Sequence, residues 1–168
     1  MTRTKKRIYF WGGFLSNWAF VPDGIKVRDE DGSIKIFPTS EHLFMWLKAS
    51  CFNERWVMNL IEIADTPKLA KSLGRKIKNF DETIWKEKRE ECMLLALKYK
   101  AEAWPGFREF VKNETRDFVE ASPYDKIWGI GMDEETAAKE DNPDNWNGLN
   151  LLGKSLGRLR DELLANEL

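Results

Sequence analysis

The chain has a single histidine, His42, and only two cysteines, Cys51 and Cys92, among its 168 residues. One imidazole leaves His-based catalytic triads and most metal sites short of parts. The two thiols are far apart in sequence and neither belongs to a CxxC pair, so a disulfide framework and a zinc knuckle both fail on count. Long apolar runs are missing too: no segment approaches the ~18 residues of a membrane span. The basic start MTRTKKRIYFWGG lacks the apolar core and small-residue cleavage site of a signal peptide. A cytoplasmic protein without metal, cofactor or membrane contact is expected. The net charge of -1 removes the broad basic field that holds a nucleic acid backbone, leaving room only for a local basic patch. Whatever chemistry exists must rest on carboxylates, lysines or backbone groups.

What the chain does have is an ordinary balance of 42% hydrophobic and 33% charged residues, with a surplus of tryptophan, 8 in all. A core of this size does not need so many indoles, so some are expected to face a ligand. The length suits one domain, residues 1–168.

Arg7 to Trp11 reads as a short strand entering a turn at Gly12-Gly13. Ile25 to Arg28 and Ser33 to Phe37 alternate around Asp29-Glu30-Asp31-Gly32, a hairpin signal, with Pro38 ending the second strand. Thr39 or Ser40 caps a helix to about Phe52, and Thr66-Pro67 opens a short one stopped by Gly74. The longest helix starts near Asp81 and runs to about Ala103, where Pro105 and Gly106 break the pattern. Phe118 to Ala121 reads as a strand. Ser122 to Asn150 shows little helical period and is long for a structureless loop, as functional loops are. A last helix carries Leu152, Leu156, Leu159 and Leu163 on one face, with Gly153 and Gly157 beside them for close packing.

The chemistry concentrates in few places. In TSEHLFMWLKA, Glu41 lies in the first turn of its helix, where the dipole favours a carboxylate. Lys48 follows seven residues later, on the same face and ~10 Å along the axis. Two ionisable groups on one side of so apolar a helix suggest a polar cleft, with His42 as a capping or supporting group. Arg89 interrupts the apolar stripe Trp85, Cys92, Met93, Ala96, so its guanidinium either reaches out to water or meets an anion. Arg75, just past a helix stop, gains interest beside it. FWGGFLSN offers backbone amides, a hydroxyl (Ser16) and a carboxamide (Asn17) next to aromatics. ASPYDKIWGIG combines Tyr124 and Trp128, suited to stacking on a base, with Asp125 as acceptor or second acid and the tight Gly129.

Taken in order, FWGGFLSNW, FPTSEHLFMWLKA, TPKLAKSLGRKI, FDETIWKEKREECM, ASPYDKIWGIG and WNGLNLLGKSLGRLR resemble the NADAR, or YbiA-like, family of N-glycosidases, from Tyr9 to about Leu164. Gly106 to Asp117 and the acidic insert Met132 to Asp144 fit the pattern least. The resemblance implies a single α+β domain, mainly helical, with a small β-sheet or hairpin. It also implies cleavage of the bond between a ribose and a base. The substrates it implies are ribosylamino-pyrimidine phosphates of the riboflavin pathway, or ADP-ribosylated guanine in nucleic acid. On the same ground Glu41 is the catalytic carboxylate, Lys48 a second essential group, and Asp125 and Trp128 functional members of the late loop. Ser16, Asn17, Arg75, Trp85, Arg89 and Asn150 then line the substrate pocket, which Tyr124 and Gly129 complete.

The chemistry agrees: breaking this bond builds positive charge at C1 of the sugar, calling for an anion, an acid for the leaving base and an activated water. Arginine forks suit a phosphate or pyrophosphate. Lys48 offers a second route, attacking C1 as an amine to form a Schiff base. The rivals are a noncatalytic ADP-ribose or nucleotide-binding module and an interaction protein whose tryptophans dock a partner. Oligomeric state is not legible.

Overall fold

In the computed structural model, which describes residues 1–166, the elements in chain order are β1 (Thr2–Arg3), β2 (Arg7–Phe10), β3 (Phe20–Arg28), β4 (Ile34–Thr39), α1 (Ser40–Cys51), α2 (Arg55–Glu62), α3 (Pro67–Leu73), α4 (Glu82–Ala103), α5 (Pro105–Asn113), β5 (Asp117–Glu120), α6 (Glu134–Glu140), a short 3-10 turn (Pro143–Asn145) and α7 (Leu151–Ala165). This is the mainly helical α+β architecture that the resemblance implies. Among the described residues no helix is long and apolar enough to cross a membrane. The chain divides into two compact units, one formed by Met1–Ser16 with Gly106–Leu168, the other by Asn17–Pro105.

In the first unit the strands form a three-stranded sheet ordered β1-β2-β5. β1 runs antiparallel to β2, and β2 lies parallel to β5 with Ile8 opposite Phe118. The sheet is buried by its own apolar residues: Tyr9, Val119, Ala121, Ile130 and Ala137 form a core cluster, with Trp146 packed against it. Helix α7 packs on β5 and α6 on β2.

Two glycines of α7 have different reasons to be there. A Cβ on Gly153 would run into the Phe118 carbonyl and the Asn150 carboxamide, whereas one on Gly157 meets nothing within 4 Å. Close packing thus accounts for Gly153 alone. Gly153→Ala is expected to cost ~2 kcal/mol or more through overpacking, while Gly157→Ala should gain ~0.5–1 kcal/mol from helix propensity. Urea unfolding of the two variants checks this, and equal effects would refute the packing account.

The stretch 122–150 is not structureless. Asp133 caps α6 through its bond to the Thr136 amide, and the Asp141 carboxylate at the far end accepts from Arg7 Nη1 at 2.9 Å and Tyr9 Oη at 2.8 Å. The remainder is knitted by backbone bonds, Ile130 N to Glu120 O at 3.0 Å, Asn147 N to Ile130 O at 2.9 Å and Asn150 N to Gly129 O at 3.1 Å. A chain so rich in Gly, Asn and Asp hides this order from periodicity because its partners are far apart in sequence.

The second unit is a hairpin carrying four helices. β3 and β4 pair antiparallel, Arg28 opposite Ile34. β4 runs through Pro38 to Thr39 instead of ending at the proline. The register shifts between Phe20 and Ile25, where Asp23 and Gly24 take positive φ. Pro38 falls opposite that irregularity, where the ladder needs no N–H from it. Thr39, not Ser40, is the N-cap of α1, and its hydroxyl oxygen accepts from the His42 amide. Helix α1 packs against α2, α3 and α4, and α4 against β3.

Helix α2 escapes the sequence reading because Glu54 provides no side-chain cap, although Val57, Met58 and Ile61 give it a buried stripe. Helix α5 starts at Pro105, the residue expected to break the pattern. Proline fits a first turn, where its missing N–H costs nothing.

Candidate active site

The N-terminal half of α1 is unusually closed for a polar stretch: Ser40 and His42 are fully buried and Glu41 is 6% exposed. Asn17 holds this end in place. Its backbone carbonyl accepts from the Glu41 amide at 2.9 Å, its Oδ1 accepts from the Ser40 hydroxyl at 2.9 Å, and its Nδ2 reaches Met93 Sδ on α4 at 3.2 Å. A carboxylate in the first turn also sits at the positive end of the helix dipole. Burying a charge is tolerated only with such compensation.

His42 is built into the scaffold. Its ring bridges Thr39 Oγ1 at 2.7 Å and the Ala64 carbonyl at 3.0 Å. Because that carbonyl can only accept, Nε2 carries the proton and Nδ1 accepts from threonine. Burial lowers the imidazole pKa, against the opposing hydrogen bond to Ala64, which favours the neutral ring.

Two turns on, the Lys48 ammonium lies 4.8 Å from the Phe80 ring centre and 5.5 Å from that of Trp85. Trp85 is itself buried against Phe44 of α1, ring centres 5.5 Å apart. Burial lowers the Lys48 pKa and Arg75 pushes the same way, against the opposing fields of Glu82 and Glu41. Desolvation is the largest influence, so the amine is easier to deprotonate than a surface lysine. Glu41, Lys48, Arg75 and Trp85 are thus brought together in the second unit.

On α4 Arg89 lies between Trp85 and Cys92, which meet α1 through Phe44 and Cys51. Its Nε is buried and, among the described residues, has no hydrogen-bond partner. A guanidinium N–H in that state is costly unless an acceptor arrives. Phe80 and Glu82, which complete the surroundings of Lys48, were not singled out from the sequence. Their signal was position alone, flanking the Asp81 cap.

The remaining candidates lie in the first unit. Ser16 is half-buried, its amide bonded to the Gly13 carbonyl at 3.1 Å. Asp125 Oδ1 accepts from the amides of Ile127 and Trp128 at 2.9 and 2.8 Å, which fixes the loop carrying the half-buried Trp128. Gly129 is packed so closely that a Cβ would sit 2.9 Å from the Asp125 and Glu120 carbonyls. Asn150, with φ of 53°, donates to the Phe118 carbonyl and accepts from the Glu120 amide, both at 3.0 Å, clamping β5. These geometries give Gly129 and Asn150 an evident architectural task. Tyr124 is 83% exposed and meets Trp11, itself 56% exposed, with ring centres 5.8 Å apart. Trp11 is an aromatic partner that the sequence reading left unused.

Comparisons with known proteins bear on the family of the chain. The NADAR domain family model matches residues 9–164. The N-glycosidase R617 of Acanthamoeba polyphaga mimivirus is 33% identical over 95% of this chain and 97% of its own length. A chloroplastic riboflavin biosynthesis protein PYRR of Zea mays is 31% identical over 91% of this chain, which matches 24% of that longer protein. The solution structure of the E. coli protein YbiA superposes with a TM-score of 0.72 at 25% identity, covering 99% of this chain and 89% of that one. The chain belongs to the NADAR family, and it is an enzyme of the glycosidase class.

Proposed function

We propose that the chain hydrolyses the N-glycosidic bond between a phosphorylated ribose and a base, with the second unit supplying the catalytic groups. The observation that carries this reading is the Lys48 amine, desolvated over Phe80 and Trp85 in the field of Glu41. Arg89, with its unanswered Nε–H, takes a phosphate oxygen, and Arg75 adds positive charge. Glu41 stabilises the positive charge that develops at C1 and draws a proton from the attacking water.

Lys48 acts as nucleophile in this proposal. As the bond from C1 to the base breaks, the neutral amine forms a C1–N bond, and the base departs with a proton from solvent. One Nζ proton is then lost to solvent and the other passes to the ring oxygen as the ribose opens, which gives an imine that water hydrolyses to return the free amine and the sugar. Within the second unit Asn17 and Trp85 shape the surroundings of these groups. Within the first unit Asp125 holds the loop that carries Trp128, and Tyr124 and Trp128 offer flat aromatic faces.

The preferred substrate class is a ribosylamino-pyrimidine phosphate, in keeping with a relative named as a riboflavin biosynthesis protein. ADP-ribosylated guanine is the competing substrate, recognised by the same sugar and phosphate chemistry. Incubating the protein with each and following base release by chromatography tests the reading. Release from the pyrimidine substrate is the expected result. Tight binding of either without release would point to a noncatalytic nucleotide-binding module.

A further inference from the structure

The two cysteines, distant in sequence, meet in the fold. Cys51 is the last residue of α1 and Cys92 lies midway along α4, and their sulfurs are 3.7 Å apart, at hydrogen-bonding distance. Both thiols are free and neither is fully buried, so a small oxidant can reach them. No glycosidase step requires them.

We propose that Cys51 and Cys92 form a peroxide-responsive thiol pair, a covalent modification site that closes to an intramolecular disulfide between α1 and α4. At this separation either sulfur can donate to the other, and Lys88 favours the thiolate form of both. Whichever thiol ionises attacks first, and the other stands ready to resolve.

In the first step one of the two sulfurs attacks one oxygen of a hydroperoxide, the O–O bond breaks, and a sulfenic acid forms with release of water or alcohol. In the second, the other sulfur attacks that sulfenic sulfur, the S–O bond breaks, and its oxygen leaves as water with the proton of the second thiol. The two thiols lose two electrons and the peroxide gains them. Reduction by a small thiol or dithiol restores the pair.

The site has a structural consequence that does not depend on the glycosidase mechanism. Cys51 follows Lys48 by three residues and Cys92 follows Arg89 by three, so each is one helical turn from a residue of the candidate site. A bond between them ties together the two helices that carry Glu41, Lys48, Trp85 and Arg89. Oxidation and reduction thus switch the α1–α4 seam between two mechanically different states.

The test uses the reduced full-length protein and hydrogen peroxide. Intact mass should fall by two hydrogens, digestion should yield a Cys51–Cys92 cross-linked peptide, and the chain should remain monomeric on a non-reducing gel. Cys51→Ser and Cys92→Ser should each fail to cross-link and stop at a sulfenic acid on the remaining thiol that dimedone traps. The wild-type mass and peptide map need no variant, so a misfolded substitution cannot obscure the result. Thiols that both remain alkylatable after peroxide, or oxidation only to chain-to-chain dimers, would overturn the proposal.

Discussion

Glu41→Gln is expected to lower turnover about 1,000-fold, the range for loss of a positioned acid or base, while the melting temperature stays within about 2 °C of the parent. The substitution keeps the shape of a side chain that is 6% exposed and leaves untouched the backbone bond from Glu41 N to the Asn17 carbonyl. What it removes is the negative charge, and with it the stabilisation of a positive C1. Binding should survive, so the loss falls on kcat with KM little changed. Calorimetry and steady-state kinetics on the same preparation separate the two effects. A Gln variant with near-normal turnover would reduce Glu41 to a helix-start residue, and the proposed mechanism would fail with it.

Lys48→Arg carries the second large effect. Arginine keeps the positive charge and can lie over the Phe80 and Trp85 rings as the ammonium does at 4.8 and 5.5 Å, but it cannot deprotonate to attack carbon. If Lys48 is the nucleophile, turnover drops about 1,000-fold or more and substrate binding remains. Borohydride added during turnover of the parent enzyme should reduce the imine and leave a sugar adduct on Lys48, visible by mass spectrometry. An active Arg variant that gives no adduct would establish direct hydrolysis with Lys48 as a positioning charge.

The pH dependence follows the same logic. The nucleophile is the neutral amine, and burial lowers its pKa, so the rate should rise with pH and level off below the range of an ordinary lysine. The folding contribution has the matching sign. The folded state binds the proton more weakly than the unfolded chain, so the penalty from Lys48 is largest at low pH and fades as pH rises toward the unfolded pKa.

Much of the fold was legible because the signals are local. Thr66 caps α3 with Pro67 in its first turn, and Asp81 caps α4 through the Ile84 amide at 3.0 Å, so each helix start is written within four residues. The hairpin around Asp29 to Gly32 is local in the same way. Helix α2, without a side-chain cap, and the cross-strand bonds of residues 122–150 were not legible, since their stabilising partners come from elsewhere in the chain.

The candidate site divides along the same line. Glu41 and Lys48 stand out in the sequence because one helix fixes their spacing, and Arg89 because it breaks an apolar stripe. That Phe80 and Trp85 cover Lys48, that Asn17 clamps the start of α1, and that Asp125 turns its carboxylate to the Ile127 and Trp128 amides required three dimensions.

The sequence by itself determined the fold class through its helix signals and the family resemblance through its ordered motifs, while the shortage of histidine and cysteine leaves the chemistry to carboxylates, lysines or backbone groups. Only the tertiary structure decided the surroundings that give those groups their properties. Helix spacing is a property of nearby residues, whereas desolvation, an Arg89 N–H left unanswered among the described residues and a 3.7 Å approach of Cys51 to Cys92 arise when segments tens of residues apart pack together.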